Sequence, residues 1–138
     1  MQPASQIALS VTVVVCTRDR PERLEECLAA LRGQTYPGFD VLVVDNASRS
    51  PVVEICARFG AACVRAPIPG LTRARNIGAR AARGEIIVFI DDDAIVEPGW
   101  LGALVAGFDD PSVAAVSGRV QYMKAIGDSR ATNLKRDF

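Results

Sequence analysis

Apolar positions along this chain fall into short runs that alternate with stretches of helical spacing. Val11, Thr12, Val13, Val14 and Val15 form a β-branched run, which predicts a fully buried strand over about Ala8 to Cys16. Pro21 then suits the first turn of a helix, where its missing N–H costs nothing, and Leu24, Cys27, Leu28 and Leu31 repeat at helical spacing up to about Gly33. Tyr36-Pro37-Gly38 predicts a turn into a second buried strand, Asp40 to Val44, closed by Asp45-Asn46.

The alternation continues. A second helix is expected over about Pro51 to Phe59, stopped by Gly60, with a short third strand from Ala61 to Ala66. After the Pro67-Ile68-Pro69-Gly70 loop a third helix spans Leu71 to Arg83, capped by Gly84. Glu85 to Ile90 is the most apolar strand of the chain and runs straight into Asp91-Asp92-Asp93. A fourth helix over Pro98 to Phe108 and a fifth strand over Val113 to Val120 complete the pattern, and residues 121–138 read as an irregular polar tail. Strands and helices alternating over short connections require parallel strands with right-handed crossovers, so the expected class is α/β, a three-layer α/β/α sandwich on a mostly parallel sheet. In such sheets ligands bind beyond the carboxyl ends of the strands. Three polar clusters occupy those ends: Thr17 to Arg20, Asp45-Asn46 and Asp91 to Asp93.

With 138 residues, 49% hydrophobic and 23% charged, the composition fits one domain over residues 1–138 with a real core. Sixteen basic and sixteen acidic residues cancel, so net charge offers no footprint for nucleic acid or an anionic membrane. Their distribution is uneven. Ile55 to Gly84 contains Arg58, Arg65, Arg73, Arg75, Arg80 and Arg83 but no acid, whereas Gly84 to Gly118 contains acids but no Lys or Arg. Neighbouring segments of opposite sign suit a ligand made of an anion and a cation together. The four cysteines form no C-x-x-C pair and no histidine exists, which argues against structural zinc and for small core residues in a reducing compartment. No Lys or Arg precedes Arg18, and the apolar run from Ile7 to Cys16 is too short to span a bilayer. A cytoplasmic location is therefore expected, with at most peripheral attachment to the inner face of a membrane.

Three adjacent carboxylates at the end of a buried strand repel one another, and positive charge must come from elsewhere. Mg²⁺ or Mn²⁺ is held by one or two carboxylates plus phosphate oxygens, so the triplet suits a site for a metal and a diphosphate. If the strand ran through the triplet, Asp91 and Asp93 would share one side and Asp92 would face the other. The alternative is that these acids make Asx turns. Asp45 can accept from a base N–H or form a turn with Asn46. Arg73 and Arg75 open the third helix, where anions are attracted, or lie on a solvated face. Thr17, Arg18 and Asp19 offer hydroxyl and backbone groups to a base or ribose. No G-x-G-x-x-G follows the first strand, no G-x-x-x-x-G-K-[ST] occurs, and without histidine no Ser-His or Cys-His couple can form.

V-T-V-V-V-C-T-R-D-R-P-E-R-L, V-L-V-V-D-N-A-S, and G-L-T-R-A-R-N-I-G through G-E-I-I-V-F-I-D-D-D together resemble glycosyltransferase family 2, inverting enzymes of the Rossmann-like GT-A fold. The likeness covers about Val11 to Val120. It implies that Thr17 lies by the base or ribose, that Asp45 hydrogen-bonds the base, and that Arg75 faces the nucleotide. Asp91, Asp92 and Asp93 match the D-x-D motif, with Asp93 the foremost metal ligand, Asp91 a second, and Asp91 or Asp92 serving ribose and diphosphate. The implied partners are a UDP-, GDP- or dTDP-sugar and a glycan, lipid or small-molecule acceptor. Family members continue past the point where this sequence stops, into the acceptor site and the general base. Asp128 and Asp137 match no base motif, so no base is assigned. A sheet lacking its remaining strands would expose an edge, which predicts self-association or poor solubility.

Two other readings remain at this level. One is a nucleotide-binding module without activity. The other is a phosphotransferase or phosphatase using the triplet for Mg²⁺; it needs an aspartyl nucleophile, for which Asp19 could serve, and a nearby Lys, but no Lys precedes Lys124.

Overall fold

The computed structural model describes residues 9–121. Four strands, β1 (Val11–Thr17), β2 (Phe39–Asn46), β3 (Ala62–Ala66) and β4 (Ile86–Asp91), form one sheet in the order β3-β2-β1-β4. Every pairing is parallel. The helices are α1 (Pro21–Arg32), α2 (Val53–Arg58), α3 (Leu71–Ala81) and α4 (Trp100–Ala106). All eight elements fall within the ranges read from the apolar pattern or within two residues of them, because each is specified by its own local period.

β1 and the second half of β2 are buried on both faces, as central parallel strands between helices must be. On one face Val11, Val13, Val15, Val43, Ile86 and Val88 pack against Leu24, Cys27, Leu28 and Leu31 of α1, Cys56 of α2, and Leu101 and Val105 of α4. On the other, Val14, Leu42 and Val44 meet Ala74 and Ile77 of α3. These are the three expected layers. Contact with α3 is close at Gly78, where an added Cβ would lie 2.4 Å from Val14 Cγ1.

Three expectations need correction. Gly84 does not cap α3, which ends at Ala81 with Ala82 extended behind it. Gly84 is instead pressed against β1: a Cβ there would meet Thr12 N at 2.5 Å, and its N–H donates to Thr12 Oγ1 at 2.9 Å. The strand expected over Val113 to Val120 does not form. A strand needs a ladder partner, and this segment turns back over α4 instead, with Val116 lying against Gly107 and Gly118 near Trp100 and Leu104. Finally, β4 ends at Asp91 and the chain turns at once, the Ala94 N–H donating to the Asp91 carbonyl at 3.1 Å. Pleat alternation therefore does not extend through the triplet. The predicted tail falls outside the described residues beyond Gln121.

Outward of β4, no further strand joins the sheet among the described residues. Ile87 and Phe89, on the face that α3 covers elsewhere, are 39% and 45% exposed.

Candidate functional site

The carboxyl ends of β1, β2 and β4 lie side by side, with Thr17 opposite Asp45 and Cys16 opposite Asp91 in the strand register. That alignment gathers polar residues from distant parts of the chain around one open cavity of about 380 Å³. It is lined by Thr17, Arg18, Arg20, Asn46 and Arg75 with all three acids of the triplet, and by Cys16 and Leu71.

Each acid of the triplet has a different environment. Asp92 is 5% exposed and satisfied: Thr17 Oγ1 donates to Oδ2 at 2.7 Å, and Arg20 Nη1 donates to Oδ1 at 3.3 Å. Asp93 also pairs with Arg20, at 3.7 Å, so Asp92 and Asp93 face one cation together. Asp91 turns toward α3, where Arg75 Nη2 donates to Oδ1 at 3.1 Å. The basic and acidic segments of the sequence thus meet here.

Asp91 and Asp93 keep most of their carboxylate surface open to water, at 69% and 57% side-chain exposure. Among the described residues, no three Asp, Glu, His or Cys side chains converge into a cage for an ion. Two hard, exposed carboxylates without a cage suit a divalent cation that completes its shell with water or phosphate oxygens, as Mg²⁺ and Mn²⁺ do. The residues present therefore fit such an ion, and the carboxylates open to it are those of Asp91 and Asp93. Beneath them Cys27 Sγ lies 3.7 Å from the Asp91 carbonyl oxygen. Burial pushes the Cys27 thiol up to about 12, with Asp92, Asp93 and Asp91 adding to the effect. The Cys16 thiol is raised mainly by burial, against the pull of Arg75 and with the push of Asp91 and Asp92.

The end of β2 is built differently. Asp45 is 2% exposed; its Oδ1 accepts from Ser48 N at 2.9 Å and its Oδ2 from Arg65 Nη1 at 2.7 Å, while Arg65 Nη2 closes the loop on the Ser48 carbonyl at 2.8 Å. Asp45 thus makes the turn and holds a cation at once. Asp19, with φ +53°, ties the first loop to the second: its N–H donates to Ser48 Oγ at 3.0 Å and its Oδ1 accepts from Arg49 N at 2.7 Å. Asn46 Oδ1 accepts from Gly70 N at 2.9 Å and so fixes the entry to α3. No buried side-chain nitrogen or oxygen among the described residues lacks a partner.

Of the residues singled out from sequence, Thr17, Arg18, Arg75, Asp91, Asp92 and Asp93 line the cavity, while Asp19, Asp45 and Arg73 do not. Arg73 is exposed on the first turn of α3 and makes no ion pair among the described residues. Arg20 and Arg65 were not singled out. Arg20 stands within the T-R-D-R-P segment, yet its pairing with acids more than seventy positions away has no local signal; Arg65 lies on β3, and only the β2–β3 register places it opposite Asp45.

A parallel α/β sheet with an acidic, arginine-flanked cavity at its carboxyl end can take a ligand that carries charges of both signs. The family profile of Glycosyl transferase family 2 matches residues 12–135, and the chain belongs to this transferase family, with its GT-A fold. It is 32% identical over 129 residues to glycosyltransferase AglE of Haloferax volcanii, covering 88% of this chain and 42% of that protein. It is 31% identical over 130 residues to an N-acetylglucosaminyltransferase of Bradyrhizobium elkanii, covering 87% of this chain and 71% of that one. Among solved structures, the mannosyltransferase PcManGT of Pyrobaculum calidifontis, in complex with GDP-Man and Mn²⁺, superposes with a TM-score of 0.72 at 30% identity over 81% of this chain and 36% of the other. S. aureus TarS 1-349 in complex with UDP-GlcNAc gives 0.67 at 25% identity, over 73% and 31%. The chain thus spans less than half the length of several of the proteins it matches.

Proposed function

We propose that this chain forms the donor site of an enzyme that transfers a sugar from a nucleoside diphosphate to an acceptor hydroxyl with inversion. The observation that carries the reading is the cavity where Asp91, Asp92 and Asp93 face Arg18, Arg20 and Arg75 at the carboxyl ends of β1 and β4. A nucleoside diphosphate with a divalent cation is a ligand of both signs, and the lining carries both. Asp93 and Asp91 would hold Mn²⁺ or Mg²⁺, which would supply charge stabilisation to the departing diphosphate. Arg75 and Arg18 flank the phosphates, with Arg73 adding positive potential at the start of α3. Thr17 lies where base and ribose enter, and the Asp45–Arg65 pair sets an acceptor beside a donor at the base end. Asp19 acts by holding the two loops in register, and Asp92 by fixing Thr17 and Arg20.

PcManGT with GDP-Man and TarS with UDP-GlcNAc support a nucleotide-sugar donor, and the Mn²⁺ of the former supports a divalent metal. The base is open among uracil, guanine and thymine, and the acceptor is a glycan, lipid or small molecule whose site and general base lie outside the residues assigned here. Titration calorimetry of the chain with UDP, GDP and dTDP, with and without Mn²⁺, tests the reading. Metal-dependent binding of one nucleotide, lost in Asp93→Ala, is the expected result. Absence of binding to all three would remove the donor-site proposal and leave the fold and family standing.

A further inference from the structure

Part of the triplet's charge is offset from within the chain, because Arg20 spans two of its members. Its Nη1 lies 3.3 Å from Asp92 Oδ1 and 3.7 Å from Asp93 Oδ2. The backbone of Arg20 is held, its carbonyl accepting from Leu24 N at 3.0 Å at the start of α1, whereas its side chain is 57% exposed. A fixed backbone and an exposed guanidinium make an anchored cation that can leave one carboxylate without leaving the site. The two acids it touches differ in the same respect. Asp92 is buried and retains Thr17 as a second partner, while Asp93 is exposed and has Arg20 as its one ion-pair partner among the described residues.

We propose that Arg20 is a built-in counter-ion which occupies Asp93 in the metal-free protein and is displaced from it when a divalent cation binds. The inference rests on the reading of Asp93 as a metal ligand and adds a competition to it. A divalent ion and a guanidinium cannot share one carboxylate without mutual repulsion, so metal entry lengthens the Arg20–Asp93 contact and leaves Arg20 on Asp92. The freed donors then face the cavity, where a diphosphate can take them. Arg20 in this role is a positioning residue. It lowers metal affinity in the empty site and couples metal binding to the arrival of an anion.

The test is Mn²⁺ binding to the full chain without nucleotide, read by titration calorimetry or by loss of the free Mn²⁺ paramagnetic resonance signal. Arg20→Gln is expected to bind Mn²⁺ more tightly than wild type, on the order of three- to tenfold for an exposed, screened pair. Arg20→Met, which keeps the apolar stem, should behave alike, Arg20→Lys should stay near wild type, and Asp93→Asn should bind at least about tenfold more weakly. A residue that only braces the loop would give the opposite sign, with weaker Mn²⁺ binding in Arg20→Gln and Arg20→Met. That result, unchanged affinity, or failure of both neutral variants to melt cooperatively would overturn the proposal. If wild type and both neutral variants all fail to bind Mn²⁺, the metal reading falls with it. If Mn²⁺ binds but no nucleotide does, the donor reading fails while the sign of the Arg20→Gln effect still decides this one.

Discussion

Asp45 and Asp93 are both aspartates at or just past the carboxyl end of a strand, Asp45 on central β2 and Asp93 after edge strand β4, and they have opposite situations. Asp45 is buried, makes a turn through Ser48 and holds Arg65. Asp93 is 57% exposed and, among the described residues, pairs only with the exposed Arg20, at 3.7 Å. The first carboxylate has a protein partner on each oxygen and so contributes to stability, whatever lone pairs it keeps for a base; the second keeps most of its capacity free and so is left chiefly for binding. Residue type does not separate them, but the partners supplied by neighbouring strands do.

Substitutions should split along that line. Asp45→Ala leaves Arg65 and the Ser48 N–H without their acceptor and is expected to cost about 2–3 kcal/mol in urea unfolding, the partial exposure of Arg65 limiting the loss. At the boundary between the two situations, Thr17→Val removes the 2.7 Å hydrogen bond from buried Asp92 and should cost about 1–2 kcal/mol, measured the same way. Equal costs for Asp45→Ala and Asp93→Ala would break the comparison.

A smaller effect comes from beneath the acidic end. The Cys27 thiol, raised from 9.0 to about 12 in the folded protein, is more readily ionised in the unfolded chain. Its contribution is fully present below pH 9 and is lost as pH climbs toward 12, since thiolate formation favours unfolding. Cys27 should account for a fall of about 1 kcal/mol between pH 8 and pH 10, beside a similar one from Cys56, and Cys27→Ala should reduce the slope by its share. An unchanged slope in the variant would show that Cys27 does not feel the burial assigned to it. The smallest effect on stability is expected for Asp91→Ala and Asp93→Ala, within about 0.5 kcal/mol of wild type in thermal or urea unfolding. For those two variants, metal-dependent nucleotide binding should be lost. A variant that unfolds readily instead would mark its acid as structural.

Exposure at the outer side of β4 gives a further contrast with the paired strands. Ile87 and Phe89 lie in the open beside an edge that no described strand covers. Sedimentation of the chain is expected to show self-association that weakens in Phe89→Lys, whereas a stable monomer would remove that expectation.

Much of this architecture is legible residue by residue. The β-branched run at Val11 to Val15, the helical spacing of Leu24, Cys27, Leu28 and Leu31, and the turn signals at Pro37-Gly38 and Pro69-Gly70 are local patterns with local causes, and each element appeared where they pointed. The acidic triplet and Arg75 were legible too, because carboxylates after an apolar strand and arginines at a helix start stand out against their surroundings. Failures came where the outcome depended on residues far along the chain. Val113 to Val120 carries an apolar pattern, but a strand also requires an edge to join, and the contacts of Val116 and Gly118 lie on α4. Gly84 sits where a cap is expected, yet its use is close approach to Thr12.

Sequence by itself thus determined the elements, their alternation and the chemical kinds of residue at the strand ends, since period, turn chemistry and charge are properties of neighbouring positions. Tertiary structure alone decided which charges meet. Arg65 reaches Asp45 through the pairing of β2 with β3, Arg75 reaches Asp91 across the packing of α3 on the sheet, and Arg20 reaches Asp92 and Asp93 because β1 and β4 are neighbours. Charge pairing acts over a few ångströms in space and is indifferent to separation along the chain.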